Sequence, residues 1–297
     1  MSASKTVYII VGPTAVGKTA FAITLAQILH TEIISADARQ CYKEMEIGVA
    51  RPSKQELSQI PHHFIASHSI METLNASVFE QYAMDKITEL FKTKNSVVMV
   101  GGTGLYIKAF CEGLDMIPPI EPTIREGIVS QYEKLGLRWL QKEVSVKDPI
   151  YWEKGEQFNP QRLMRALEVK LGTGLSIVSF QNKNKIVRPF NIVKIGLEMP
   201  RPLLYERINQ RVLNMVEEGL ENEVKTLIPK LHLNALQTVG YIEWVPFFNG
   251  DITKERVIDL IQQNTRHYAK RQMTWFKKDP EIKWYQASTV TTNQIIE

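Results

Sequence analysis

Residues 7–26 place an apolar β-branched run, a glycine loop and a helix-forming run in direct succession. The run is Val7-Tyr8-Ile9-Ile10-Val11, the loop Gly12-Pro13-Thr14-Ala15-Val16-Gly17-Lys18-Thr19, and the helix Ala20-Phe21-Ala22-Ile23-Thr24-Leu25-Ala26. This is G-x-x-x-x-G-K-[ST] between a strand and a helix, the setting in which the pattern has a mechanism. The glycines let backbone N–H groups turn inward around phosphate oxygens. The helix that follows presents its unpaired N–H groups and positive dipole end to the same anion. Lys18 adds a point charge, and the Thr19 hydroxyl is a ligand type for Mg²⁺. The loop therefore predicts a polyphosphate ligand without saying which one.

The first 110 residues continue to alternate strand and helix. Glu32-Ile33-Ile34-Ser35 reads as a short strand with Asp37 just past its carboxyl end. About Ser77 to Lys92 is an amphipathic helix with Ser77 as its expected cap. Ser96-Val97-Val98-Met99-Val100 is a buried strand that runs into Gly101-Gly102-Thr103-Gly104 and a further helix. Such alternation predicts an α/β fold: a P-loop NTPase-like parallel sheet flanked by helices. Ligands of these sheets sit beyond the carboxyl ends of the strands, which puts the cradle, Asp37 and Gly101-Gly102-Thr103 around one crevice.

The alternation breaks near Ile117-Pro118-Pro119. Residues 115–189 carry helical periodicity and no good central strand, and they read as an inserted all-helical subdomain. The catalytic core is then 1–114 with 190–297. Within the insertion, Asn159-Pro160 marks a helix start, cap then first turn, and Arg162 and Arg165 share a face. Phe190 to Leu197 returns to strand, and a long helix covers about Thr253 to Lys278.

Several side chains carry candidate chemistry. Asp37 has three readings from position alone: Mg²⁺ ligand, proton acceptor, or helix cap. Gly101-Gly102-Thr103-Gly104 is either a second close-approach loop, with a hydroxyl that can donate to phosphate, or a turn capped by Thr103. Arg207 and Arg211, four apart on a helix, either clamp a diphosphate or form a solvated basic face. His62 and His63 read as loop or packing residues, and Trp139, Trp152, Trp244 and Trp275 as packing residues.

Charge narrows the class only locally. The net charge of +4 is weak evidence for any partner. From Arg162 to Arg188, however, six Lys/Arg accompany one acid, and from Leu260 to Lys278 five accompany none, which suits either a phosphate backbone or a solvated surface. Two cysteines, Cys41 and Cys111, are too few for a disulfide framework or a C-x-x-C zinc site. No apolar run reaches the roughly 18 residues of a membrane span, and no signal-peptide pattern is read before the first strand. A cytoplasmic protein without a membrane partner is expected, and a monomer, because no exposed apolar stripe demands a second copy.

The motifs now align with a family. Gly12 to Thr19 resembles G-P-T-A-x-G-K-T. Asp37 to Pro52 resembles D-S-x-Q-x-Y-x-x-M-x-I-G-T-A-K-P, and Val100 to Tyr106 resembles V-G-G-T-x-L-Y. Asn159 to Glu168 resembles D-P-Q-R-x-x-R-A-L-E. Val239-Gly240-Tyr241 and Thr265 to Phe276 resemble V-G-Y and T-R-x-x-A-K-R-Q-x-T-W. In order and together, these resemble the tRNA dimethylallyltransferase family. The resemblance implies transfer of a dimethylallyl group from dimethylallyl diphosphate to N6 of the adenosine 3′ to the anticodon. It implies Mg²⁺, with Thr19 as a ligand, and a diphosphate in the Gly12–Thr19 cradle. Asp37 becomes the general base, Thr103 a support for the reacting groups, and Arg207 or Arg211 a neutraliser of diphosphate charge. Asp37, Ala38, Arg39, Gln40, Thr103, Arg125, Gln161, Arg162, Leu163, Met164 and Arg165 fall where the family contacts the tRNA anticodon stem-loop.

The chain departs from the family pattern at Ala38 (usually Ser), Val49 (Thr), Arg51 (Lys) and Val16 (commonly Ser). Two rivals share the cradle: a small-molecule kinase of the same fold, and an isopentenyltransferase acting on free AMP, ADP or ATP. The helical insertion and the Pro160-Gln161-Arg162 helix start favour RNA.

Overall fold

A computed structural model describes residues 5–181 and 186–296. The first half alternates as its hydrophobic pattern predicts. It runs β1 (Thr6–Val11), α1 (Lys18–Ile28), β2 (Ile33–Ser35), α2 (Lys54–Gln59), β3 (His62–His63), α3 (Ala76–Leu90), β4 (Ser96–Val100) and α4 (Gly104–Glu112). Three helices follow: α5 (Pro122–Lys147), α6 (Pro149–Lys154) and α7 (Pro160–Thr173). The chain then returns through β5 (Asn191–Glu198), α8 (Arg201–Glu217), α9 (Leu220–Leu227), α10 (Val245–Phe248), α11 (Lys254–Phe276), β6 (Lys283–Gln286) and α12 (Asn293–Ile296).

The described strands form one six-stranded sheet in the order β3-β2-β4-β1-β5-β6, and every pairing is parallel. Parallel strands buried on both faces need apolar residues without alternation, which is what Ile9, Ile10, Val97, Val98 and Met99, all fully buried, supply. One core packs Ile10, Val98 and Ile195 of the sheet with Leu25 of α1, Leu204 and Ile208 of α8, and Ala269 of α11. Register brings the carboxyl ends level: Ile10 pairs with both Val100 and Ile195, and Ser35 pairs with Val100. Backbone bonds then lock the strand ends together. Ala36 N–H donates to Val100 O at 2.7 Å, Gly101 N–H to Ile10 O at 3.1 Å, and Thr103 N–H to Ala36 O at 3.2 Å.

By compactness the chain divides into residues 1–112 with 187–297, and residues 113–186. The second unit holds α5, α6 and α7 around its own core of Ile128, Leu140, Val144, Tyr151, Leu163, Met164 and Leu167. α5 breaks at Gly136, whose φ of 72° lies in the left-handed region that glycine tolerates. Asn159 caps α7 by accepting from Arg162 N–H, with Pro160 in the first turn.

Two local expectations need correction. α3 is capped by Asn75, not Ser77: the Asn75 carboxamide accepts from the Ser77 and Val78 N–H groups. This is the Asx geometry that competes for helix starts. The sheet also carries two edge strands that the patterning did not show. β3 is the His62-His63 pair, and β6 follows the long helix; both are short and polar, so neither has the apolar run of a central strand. No described helix is long and apolar enough to cross a membrane.

Candidate active site

The locked strand ends open onto a crevice of about 970 Å³ within the sheet-bearing unit. Its walls include Thr14, Gly17, Lys18 and Thr19 from the cradle, Asp37 and Gln40 from the loop after β2, Gly101 and Gly102 from the loop after β4, and Arg207 and Arg211 from α8. Residues separated by more than 190 positions thus face one space.

The cradle has the strain its glycines predict. Gly12 has φ 146° and Gly17 φ 107°, and a Cβ on Gly12 would lie 2.4 Å from Leu197 O. Ala15 also adopts a positive φ of 66°, which costs about 1 kcal/mol or more in a non-glycine residue. Pro13, Ala15 and Val16 are buried, so their side chains shape the loop and only backbone remains for a ligand. The Lys18 ammonium donates to Gly12 O at 3.0 Å and Pro13 O at 2.8 Å, closing the loop on itself. Burial, and secondarily the Arg211 guanidinium, bring the Lys18 pKa down to about 7, against an upward pull from Asp37. Burial and the neighbouring Arg207 likewise lower that of Arg211. Arg211 Nη1 donates to the Thr14 hydroxyl at 3.4 Å, and a Cβ on Gly17 would come within 3.9 Å of Arg207 Nη2. Three cations held this close repel one another, a repulsion that an anion between them would relieve.

Asp37 faces the crevice with one oxygen already engaged: Oδ1 accepts from Arg39 N–H at 2.9 Å and Gln40 N–H at 3.2 Å. Beside it, the Thr103 hydroxyl accepts from Ala38 N–H at 2.9 Å, which leaves the hydroxyl proton to donate elsewhere. Ala38 thus contacts Thr103 through its backbone N–H. Val49 behaves similarly: Gln40 Nε2 donates to Val49 O at 3.2 Å and Ala50 O at 2.9 Å. Arg51 donates to Tyr42 O and Lys43 O at 3.0 Å each, and to Met45 O, pinning the loop it ends. The two cysteines are bystanders, since burial raises both thiols to about 12.

The profile of the family described as IPP transferase matches residues 40–279. The chain is 49% identical to a tRNA dimethylallyltransferase of Christiangramia forsetii, over 93% of this chain and 92% of that protein. It is 46% identical to one of Flavobacterium johnsoniae over 97% and 94%. The chain belongs to the IPP transferase family. Solved relatives have the same fold. A tRNA isopentenylpyrophosphate transferase from Bacillus halodurans superposes with a TM-score of 0.72 at 34% identity, covering 98% of this chain and 93% of the other. A eukaryotic dimethylallyltransferase acting on tRNA superposes with a TM-score of 0.82 at 25% identity, covering 99% and 78%.

Among the residues that the family likeness associates with RNA, those on α7 divide sharply. Gln161 and Arg162 are exposed, while Leu163 and Met164 are 0% and 3% exposed, inside the helical unit's core. The Leu163 and Met164 side chains pack α7 into that core. Arg125 Nη2 donates to Gln161 Oε1 at 2.9 Å, and Glu168 pairs with both Arg125 (3.2 Å) and Arg165 (2.7 Å). Glu168 thus gathers two cations and an amide onto one face.

Three IPP transferase residues were not singled out from the sequence. Gln272 is 5% exposed; its Oε1 accepts from Thr14 N–H at 2.8 Å and its Nε2 donates to Gly102 O at 3.0 Å, joining the two glycine loops. Tyr268, one turn earlier, lines the crevice, and burial with the nearby Asp37 charge raises its phenol. Both lie on α11, and their spacing of four was the available signal. Glu223 also lines the crevice, and it is ordinary in sequence.

Proposed function

We propose that this chain transfers the dimethylallyl group of dimethylallyl diphosphate to N6 of the adenosine 3′ to the anticodon in tRNA, releasing diphosphate. The observation that carries the reading is the juxtaposition of Asp37 with Lys18, Arg207 and Arg211 in one crevice. A prenyl transfer to an amine needs an anion cradle for the leaving group and a base for the proton, side by side.

The chemistry follows from the residues. Adenine N6 is a weak nucleophile because its lone pair is delocalised into the ring. As N6 bonds to the allylic carbon, the carbon–oxygen bond to diphosphate breaks and the electron pair leaves with the oxygen. The charge that develops there meets the inward backbone N–H groups of Gly12–Thr19, Lys18, and the guanidinium groups of Arg207 and Arg211. The Asp37 carboxylate takes the N6 proton; positioned bases of this kind contribute typically 10²–10⁴-fold. The Arg39 and Gln40 amides fix Asp37 through Oδ1, and the Thr103 hydroxyl donates to the reacting groups beside it. An adenosine stacked in a loop must be extruded to reach the crevice.

A Mg²⁺ fits this site as a partner of the diphosphate. Thr19 offers a hydroxyl at the cradle, and no group of three acidic, histidine or cysteine side chains gathers among the described residues. Mg²⁺ prefers such a place, where phosphate oxygens and water complete its shell. Bound there it neutralises diphosphate charge.

For the RNA, the reading assigns Arg125, Gln161, Arg162 and Arg165 to backbone and loop contacts, alongside Ala38, Arg39 and Gln40 near the base. The reading takes the chain to act as a monomer in the cytoplasm. The test is to incubate the protein with dimethylallyl diphosphate, Mg²⁺ and unmodified tRNA, digest the RNA and identify its nucleosides. N6-isopentenyladenosine at the position after the anticodon supports the reading; unmodified tRNA with wild-type protein that binds the diphosphate overturns it.

A further inference from the structure

Val239-Gly240-Tyr241 stands out in the sequence and has no part in the chemistry above. In the structure Tyr241 is fully buried and its hydroxyl donates to Glu223 Oε1 at 2.6 Å. The same carboxylate accepts three consecutive backbone amides from a loop more than 170 residues away in sequence. Glu46 and Ile47 N–H donate to Oε2 at 3.1 and 2.8 Å, and Gly48 N–H donates to Oε1 at 3.0 Å. The packing is equally specific. A Cβ on Gly48 would lie 2.6 Å from the Tyr241 ring, and one on Gly240, at φ 96°, would lie 3.1 Å from Gly48 O.

Four donors on one carboxylate exceed what holding α9 in place requires. Immediately after Gly48, the Val49 and Ala50 carbonyls receive the Gln40 carboxamide, and Gln40 N–H is one of the two donors on Asp37 Oδ1. A path of hydrogen bonds joined by the backbone from Gly48 to Val49 therefore runs from Glu223 through residues 46–50 and Gln40 to Asp37. Glu46, Ile47, Val49 and Ala50 themselves wall the crevice.

We infer that Glu223, held by Tyr241, is a positioning residue for Asp37: it sets the 46–50 loop, and through Gln40 the orientation of the carboxylate. This rests on the proposed prenyl transfer, in which Asp37 takes the proton. Misplacement of a base by a fraction of its hydrogen-bond length lowers turnover without removing any contact to the diphosphate.

Two variants test this. In Glu223→Gln one carboxylate oxygen becomes an NH₂ group, which faces an N–H donor and cannot accept it. Tyr241→Phe keeps the ring under Gly48 and removes only the phenol donor. Glu221→Gln on the same helix, whose partner is Lys254 at 2.7 Å, serves as control. Amide hydrogen exchange needs no activity: Glu223→Gln is expected to speed exchange at residues 46–48 and also at Arg39 and Gln40, by roughly tenfold or more for the loss of a charged acceptor. In prenyl-transfer assays, kcat is expected to fall by about 10- to 100-fold with KM for tRNA and for the diphosphate within about twofold of wild type. Tyr241→Phe is expected to show both effects more weakly, and Glu221→Gln neither. Faster exchange confined to residues 46–48 with unchanged kcat, or a lower melting temperature with unchanged kcat, overturns the inference. Wild-type protein that transfers nothing to tRNA overturns the functional reading instead, and the exchange at Arg39 and Gln40 still decides whether the path exists.

Discussion

Gln272 Oε1 accepts the Thr14 backbone N–H at 2.8 Å, across 258 residues of sequence. Because its Nε2 also donates to Gly102 O, one buried carboxamide sets the spacing between the Gly12–Thr19 loop and the loop that carries Thr103. In Gln272→Ala both backbone groups lose their partner, at about 1–3 kcal/mol for each that stays unsatisfied. In Gln272→Glu the Thr14 acceptor remains, but a carboxylate then faces the Gly102 carbonyl. We expect both variants to melt at lower temperature and to lose at least tenfold in kcat/KM for the prenyl diphosphate. Steady-state kinetics with thermal melts checks this; unchanged kinetics in both refutes the bridging role.

Asp37→Asn keeps an oxygen to accept from Arg39 and Gln40 and removes the base. The expected result is a fall in kcat of about 10²–10⁴-fold with tRNA binding close to wild type. Filter binding and single-turnover kinetics separate the two quantities. Turnover near wild type contradicts the assignment of the proton to Asp37.

Gly101 and Gly127 offer a contrast. A Cβ on Gly101 would lie 2.1 Å from Ala36 O, inside the locked strand ends, whereas one on Gly127 in α5 meets nothing within 4 Å. Gly101→Ala is expected to destabilise by about 1–3 kcal/mol or more through overpacking, and to reduce activity. Gly127→Ala is expected to be neutral or to stabilise by up to about 1 kcal/mol through helix propensity. Chemical denaturation of the two variants measures the difference.

Lys18 supplies the pH dependence. Without ligand its pKa is near 7, and a bound diphosphate raises it by opposite charge. A group whose pKa rises on binding contributes fully below its free value and loses that contribution as pH climbs through it. The ratio of kcat/KM for the prenyl diphosphate in wild type to that in Lys18→Ala should therefore fall as pH rises above about 7. Taking the ratio cancels the titration of the substrate. A ratio that is flat from pH 6 to 9 argues against a Lys18 that loses its proton in this range.

The strongest periodicities were the most legible parts of this chain. Val7–Val11 and Ser96–Val100 are continuous apolar runs because parallel strands are buried on both faces, and the glycine loops follow them where backbone must approach a ligand. The cradle and Asp37 are readable for that reason, and Arg207 and Arg211 from their spacing of four on a helix; all of them line one crevice. β3 and β6 were not readable, because an edge strand needs neither apolar faces nor length. Gln272, Tyr268 and Glu223 escaped notice for a different reason. Gln272 and Glu223 act through tertiary bonds to loops 170 or more residues away and Tyr268 through its place on the crevice wall, and a lone side chain on a helix looks the same whether it faces solvent or another loop. Leu163 and Met164 share a motif with Gln161 and Arg162 but turn their side chains inward on the same helix.

In the proposed reaction the prenyl group goes to tRNA and not to a free nucleotide or to another acceptor. The most direct test supplies labelled dimethylallyl diphosphate with Mg²⁺ and an unmodified anticodon stem-loop, in the presence of excess AMP and ATP, and follows where the label goes. Label is expected in the stem-loop, at the adenosine 3′ to the anticodon, and is expected to be lost in Asp37→Asn. Label in AMP, or phosphate released from ATP with none in the RNA, contradicts it.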